Sequence, residues 1–509
     1  MSLIILFKYL INLNTLLTQI LFILTWIPKC KRGNNKVKNT KDKKPIGVSS
    51  KVDMSAMKTF KSINPFTGEI IAKYALDDNN LILDKLCKTL AVEATWRAVH
   101  VNKKTDLLIK LSALLLKRKG ELARLMAEEM GKPVSQGASE IEKCIVCCKY
   151  YIEHSAHYLA DETLETDASE SYISFDPLGC ILAIMPWNYP FWQVIRFAVP
   201  NLTVGNTIIL KHADNVLGCA AAIQQLFLDA GYPLGSIQTI TVAHEQIEAI
   251  IANDLIKGVT LTGSTQAGSV VAALAGRHLK KTILELGGNN ACVVLNDANL
   301  DKYLPVMVRA RMSNTGQSCI AAKRFIVVAE IYTIFLEKFT KAIAQLKVGD
   351  PLDEATEIGV LARLDLAVNL KEQVDNSVAM GAIVQVGNKI NECAFAPTIV
   401  TNVTEDMALF KEETFGPVAV IVKAKDENDA LALAGNTHYG LGTMIFTENT
   451  VKAVKFANAL EDGAIFINEM VKSDPRLPFG GTKKSGYGKE LSKDGMLEFV
   501  NKKVIYINK

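Results

Sequence analysis

From residue 60 onward the apolar positions follow two periods. Residues 80–130 carry apolar side chains at spacings of three and four, in LILDKLCKTLAVEATWRA and then KKTDLLIKLSALLLKRKGELARLMAEEMG. That pattern predicts two amphipathic helices. Gly131-Lys132-Pro133 closes the second with a cap glycine and a following proline. Short, almost continuously apolar runs come next: CILAIMPWN, NTIILKHA, GVTLTGS, KTILELGG and ACVVLND. Helical stretches such as GCAAAIQQLFLDAG and STQAGSVVAALAGR separate them. Strands apolar on both faces and alternating with helices predict parallel sheets covered on both sides. The alternation resumes from about 320 to 470, so the expected architecture is α/β, with two doubly wound Rossmann-like lobes.

The first 58 residues break this pattern. Residues 1–28 are apolar but interrupted by Lys8, Asn12, Asn14, Thr15, Thr18 and Gln19, and their longest clean run is too short for a span of about 20 apolar residues. No small-residue cleavage site follows, which argues against a removed signal peptide. Three readings stay open: an anchor with a basic flank, an amphipathic interfacial segment, or a tail upstream of a start at Met54 or Met57. Residues 29–58 read as a basic linker. The net charge of +4 hides this asymmetry. The first 58 residues carry +9 and the remainder −5, so nothing in the body suggests a nucleic-acid partner. Membrane contact, if any, belongs to residues 1–28.

Ten cysteines in 509 residues are too sparse for a disulfide scaffold. Cys144, Cys147 and Cys148 lie at helical spacing without a second Cys pair or a His pair to complete a zinc site. Buried reduced thiols are the better reading, no metal is expected, and the implied compartment is reducing and cytoplasmic.

Several short motifs carry candidate chemistry, each with an ordinary alternative. GVTL running into TGST places Gly263 and Ser264 at a helix N-terminus suited to a pyrophosphate, or simply at a capped helix. The P-loop lysine is missing, so a Walker assignment fails. Cys319, in NTGQSCIAA, is a nucleophile or a structural thiol. Glu285 closes an apolar strand before two glycines, where a carboxylate is costly to bury unless used or paired. Asn188, in MPWNYP, is an oxyanion donor or a turn residue.

In their order and spacing, PWNYP, TGST, ELGG, GQSC, TFGPV and PFGG resemble the aldehyde dehydrogenase superfamily over about residues 60–507. LKHADNV, MPWNYPFWQVIRFAVPN and SDPRLPFGGTKKSGYGKELS are similar to its succinate-semialdehyde dehydrogenase branch. The resemblance implies a Cys319 nucleophile, Asn188 as oxyanion donor and Glu285 as general base. It implies cofactor contacts from Trp187, Lys211, Asp214, Gly263, Ser264, Gly287, Glu413 and Phe415. Asp214 occupies a position where an acidic group bonds ribose hydroxyls and repels a 2′-phosphate, so NAD is expected ahead of NADP, with NADP possible. For a carboxylated small-molecule aldehyde the resemblance implies Arg196, with Ser473 and Arg476 as further substrate contacts. Some relatives place a second arginine six residues before the nucleophile; Ser313 stands there instead. The alternatives carried forward are a general medium-chain or aromatic aldehyde dehydrogenase and an inactive tethered scaffold. The family architecture implies a cofactor-binding domain over 59–285 with a β-ribbon near 171–180, a catalytic domain over 286–478, and an oligomerisation strand region over 479–509. It also implies a homodimer or homotetramer.

Overall fold

The computed structural model describes residues 59–509. The expectations for residues 1–58 therefore lie outside the described residues. After a hairpin of strands Thr59–Ile63 and Ile70–Ala75, two helices span Asn79–Ala98 and Val101–Met130. The second ends at Gly131, whose φ of 74° places the cap in the left-handed region that glycine tolerates. A third helix, Val134–Tyr158, turns Cys144, Cys147 and Cys148 into the core. Their thiols sit well above the usual range because burial disfavours the thiolate.

Two main sheets follow. In the first, the strands run in the order Gly486–Tyr487, Lys281–Glu285, Ile256–Thr262, Cys180–Met185, Thr207–His212, Ile237–Thr239. All neighbours are parallel except the first pair. Chain order reverses beside Cys180–Met185, so the crevice at the carboxyl ends of that strand and Ile256–Thr262 is a switch point, where such sheets bind ligands. The second sheet has seven strands, in the order Ile383–Val386, Thr398–Thr401, Val418–Ala424, Arg324–Val328, Ala291–Val294, Thr443–Phe446, Ile465–Ile467. It is parallel apart from its first pair. Separate apolar clusters pack around each sheet.

A third sheet is the ribbon. Glu170–Pro177 pairs antiparallel with Val500–Ile507 along its full length and with Glu162–Thr163 on its other side. The segment 479–509 is not one oligomerisation region, however. Residues Gly486–Tyr487 extend the first sheet by pairing with Glu285 and Leu284, and Phe479 and Glu490 exchange backbone hydrogen bonds beside the site. Only 500–507 enters the ribbon. The loop's glycines let its backbone reach the sheet edge, which an apolar-run reading of the sequence does not register.

The helix Pro190–Val204 positions the site, and every one of its residues is buried. Its first turn has backbone amides without intrahelical acceptors. Glu140 supplies one: a single carboxylate oxygen accepts from the Phe191 and Trp192 amides, each at 2.9 Å. Lys132 in turn pairs with the other oxygen of Glu140 and lies over the Tyr189 ring, with both charged side chains fully buried. His212 bonds the Pro190 carbonyl at 3.0 Å through Nε2, and burial lowers its pKa to about 4, which keeps it neutral.

Removing one partner from a buried pair leaves the other charge uncompensated. Lys132→Met is expected to destabilise the protein by about 3–5 kcal/mol in guanidinium unfolding. A loss near zero would show that the pair does not hold this helix start.

Candidate active site

Three loops meet where the carboxyl edge of the six-stranded sheet faces the amino edge of the seven-stranded one. The first leaves Cys180–Met185 and carries Trp187 and Asn188. The second follows Lys281–Glu285 through Gly287 and Gly288 into Ala291–Val294. The third connects helix Leu300–Met312 to strand Arg324–Val328 and carries Cys319.

The thiol loop has an unusual backbone. Asn314, Thr315 and Gly316 all have positive φ, at 55°, 54° and 74°. A Cβ on Gly316 would stand 2.2 Å from the Gly416 carbonyl oxygen, so only glycine fits. Such a turn persists only when its surroundings over-determine it. Arg311 does much of this. It is fully buried, and its guanidinium donates to the carbonyls of Ala322 at 3.2 Å, Gly316 at 3.3 Å and Thr414 at 3.1 Å, and to Gly416. Lys323 adds bonds to the Ser318 carbonyl at 2.7 Å and the Cys319 carbonyl at 2.8 Å. Asn290 also donates to the Cys319 carbonyl, at 2.6 Å. Pattern reading of the sequence missed Arg311, Lys323 and Asn290. Charged residues ending or starting apolar elements were the available signal.

Asn188 is buried, and its side-chain amide donates to the Gln317 carbonyl at 3.1 Å. Asn314 donates to the Asn188 carbonyl at 2.8 Å, so the amide and the thiol loop are tied together. An amide nitrogen has two hydrogens, which leaves the second for a ligand. Cys319 is half-buried, and burial raises its thiol above the ordinary value. The nearby Lys323 and Arg196 charges oppose that shift.

Glu285 is 2% exposed, and its Oε1 has no hydrogen-bond partner among the described residues. Burial first, and then neighbouring Glu490, push its carboxyl well above the usual range, against the Arg196 and Lys489 charges. Glu490 forms a buried ion pair with Arg196, whose guanidinium lies 4.9 Å from the Phe479 ring centroid. Arg196 Nη2 is left without a hydrogen-bond partner. Its charge opposes the upward shift of both Cys319 and Glu285.

The proposed cofactor contacts fall along the crevice. Lys211, at the end of its strand, pairs with Asp214 at 2.7 Å. The Gly263 amide is bonded to the Glu285 carbonyl at 3.0 Å, and Ser264 caps the helix Thr265–Arg277 by accepting from Ala267. The Thr265 and Gln266 amides therefore remain as the helix-end donors. Thr262 Oγ1 is buried there without a partner. A Cβ on Gly287 would lie 2.2 Å from a Glu413 carboxylate oxygen, so this glycine lets Glu413 lie against bare backbone. The other Glu413 oxygen takes Lys323 at 3.0 Å. Trp187 and Phe415 meet edge to face at 5.7 Å. A capped helix end, an orphaned hydroxyl and an aromatic pair in one crevice fit a dinucleotide.

Of the expected substrate contacts, Ser473 is buried and accepts from Lys143 at 2.6 Å and from Trp192 Nε1 at 3.0 Å. Arg476 is not brought in. Its side chain is 76% exposed and forks onto Asp474 at 2.8 and 2.6 Å, because a solvated guanidinium with a carboxylate two residues away has no need of burial. Among the described residues no helix is long and apolar enough to cross a membrane.

A doubly wound sheet whose switch-point crevice faces a held thiol, an amide and a buried carboxyl has the make-up of an α/β oxidoreductase. Residues 52–505 match the aldehyde dehydrogenase family, and the chain belongs to it. It is 43% identical over 449 residues to a probable succinate-semialdehyde dehydrogenase [NADP(+)] of Synechocystis, covering 88% of this chain and 99% of that one. It is 42% identical to a succinate semialdehyde dehydrogenase [NAD(P)+] of Escherichia coli K12, covering 87% and 97%. The crystal structure of the succinic semialdehyde dehydrogenase of Streptococcus pyogenes with NADP+ superposes with a TM-score of 0.86 at 35% identity, over 88% of this chain and all of that one.

Because the Cys319 pKa is raised, little thiolate exists at neutral pH in the free enzyme. Inactivation by iodoacetamide at pH 7 is expected to be slower than alkylation of free cysteine. It should climb about tenfold per pH unit to beyond the ordinary thiol pKa, as one ionisation requires. A rate already flat from pH 7 would show a thiolate held at rest.

Proposed function

We propose that this chain oxidises succinate semialdehyde to succinate, with NAD preferred over NADP. The observation that carries the substrate is Arg196: a fully buried guanidinium beside the thiol, with one nitrogen lacking a partner, is suited to a carboxylate. Relatives named for succinate semialdehyde, at 40–43% identity, support it. A general aldehyde dehydrogenase would have little use for a buried cation in that place.

The residues divide the work as follows. The Cys319 thiol passes its proton to solvent, and its sulfur adds to the aldehyde carbon as the carbonyl π bond breaks onto oxygen. The second hydrogen of the Asn188 amide and the Cys319 backbone N–H then stabilise the oxyanion. A dinucleotide bound along Lys211, Thr265, Glu413 and Phe415 supplies the hydride acceptor. The acyl group remains on Cys319 as a thioester. Glu285, once deprotonated, takes a proton from water as it attacks that thioester; succinate leaves and the thiol is restored. A carboxyl whose pKa is raised by burial makes a stronger base than an ordinary one.

Asp214 supports NAD, since a carboxylate there disfavours a 2′-phosphate even while paired with Lys211. The names of the Synechocystis and Escherichia coli relatives give NADP(+) and NAD(P)+, and the reading that places NAD first rests on Asp214 alone. The sparse cysteines, with Cys144, Cys147 and Cys148 packed in the core, support a reducing, cytoplasmic setting. The outer edge of Val500–Ile507, with Val504 and Tyr506 exposed, is suited to a second copy, and we read the protein as a homodimer or homotetramer.

Initial rates with NAD are expected to be at least tenfold higher in kcat/KM for succinate semialdehyde than for hexanal, lower with NADP, and absent in Cys319→Ser. A preference for hexanal would move the chain to the general aldehyde dehydrogenases; Asp214→Ser should shift the cofactor ratio toward NADP. Light scattering should return a mass of two or four chains, and a 55.7 kDa particle would remove the ribbon from that role.

A further inference from the structure

The carboxylate subsite has one obvious cation and lacks the second. Ser313, at the position where some relatives carry an arginine, is turned back on its own helix, its hydroxyl donating to the Arg309 carbonyl at 2.7 Å. Arg196 is also shared with Glu490. One half-neutralised guanidinium is a weak grip on a charged substrate.

Another cation reaches the same place from a different element. Lys143 projects from helix Val134–Tyr158 and donates to Ser473 Oγ at 2.6 Å. Its ammonium lies 4.2 Å from the centroid of Trp192, whose indole nitrogen holds the same hydroxyl at 3.0 Å. Among the described residues it has no carboxylate within ion-pair distance, unlike the buried Lys132 and Lys323. Lys143 is half-buried. Arg196 Nη2 also has no partner. Trp192 and Arg196 stand four residues apart on helix Pro190–Val204, so the hydroxyl that Lys143 and Trp192 hold lies on the helix face that carries Arg196, and the two cations repel. That arrangement is stabilised by an anion between them.

We propose that Lys143 is the second cation of the carboxylate subsite and, with Arg196 and Ser473, grips the substrate carboxylate in place of the missing arginine. This rests on the succinate semialdehyde reading. It makes Lys143 a specificity residue that acts on binding of the charged end and not on the chemistry at Cys319.

The ammonium's ionisation gives an independent readout. Burial and then the Arg196 charge lower its pKa to about 8, while Cys144, Glu140 and Cys147 on its own helix oppose that shift. From the other elements it faces Arg196 and Trp192 on helix Pro190–Val204, and Ser473 and Asp474 on the loop. A lysine with a lowered pKa is charged below that value and neutral above it. The grip is therefore present at pH 7 and fades as pH rises through about 8.

The test compares succinate semialdehyde with butanal, its uncharged counterpart, in the wild-type enzyme, Lys143→Met and Lys143→Arg. The expected result is a fall of at least tenfold in the kcat/KM ratio of the two substrates in Lys143→Met, carried by KM. Lys143→Arg should stay within about threefold of wild type. In the wild type the KM ratio of succinate semialdehyde to butanal should rise above pH 8, and in Lys143→Arg it should stay flat to pH 10. Taking ratios cancels titration of Cys319 and Glu285, which both substrates share. Should Lys143→Met fail to fold, the wild-type and Lys143→Arg profiles decide alone. A wild-type enzyme indifferent to the carboxylate overturns the substrate reading itself. A wild-type preference that survives in Lys143→Met, or a flat wild-type profile, overturns only the role of Lys143.

Discussion

Buried irregular backbone is the constraint on which the site depends. Cys319 sits in a loop between two sheets, where buried carbonyls lack a strand partner and must still be satisfied. Cationic side chains supply the donors. Arg311 serves Gly316, Ala322, Thr414 and Gly416, Lys323 serves Ser318 and Cys319, and Arg324 serves Asn289, Leu433 and Ala434. All three are fully buried. Each sends charged donors to several carbonyls at once, so the loop that presents the thiol and the loop that carries Glu413 and Phe415 are held as one piece. The left-handed turn at 314–316 is stable for the same reason.

Charge is handled just as closely on the substrate side. Arg196 acts electrostatically on Glu285, on Glu490 and on Lys143, and burial shifts each of those three. Burial raises the Glu285 carboxyl, and Glu490 pairs with Arg196. Lys143 has only a hydroxyl and an indole face. Desolvation therefore raises a carboxyl and lowers an ammonium around one shared guanidinium.

The alternation of apolar runs and helices was enough to anticipate two parallel α/β lobes, because strand burial on both faces is written in consecutive residues. Glu285, Cys319 and Asn188 were visible for a related reason, each a reactive side chain set among glycines or prolines at the end of an apolar run. Arg476 misled: a guanidinium in the right loop says nothing about which way it turns, and a nearby Asp474 was enough to keep it in solvent. The segment 479–509 misled too, since its glycine-rich backbone joins the cofactor sheet before the chain reaches the ribbon.

What the sequence by itself determined is local: periodicity, caps, and the residue types at each loop. What only the tertiary structure decided is compensation. Lys143 and Ser473 are 330 residues apart, yet they share a hydrogen bond. Glu490 reaches Arg196 and Glu285 from a strand-edge loop near the end of the chain. Whether a charge is neutralised, shared or left waiting depends on which side chains face it across space. In a buried site of low dielectric that choice sets protonation and specificity together.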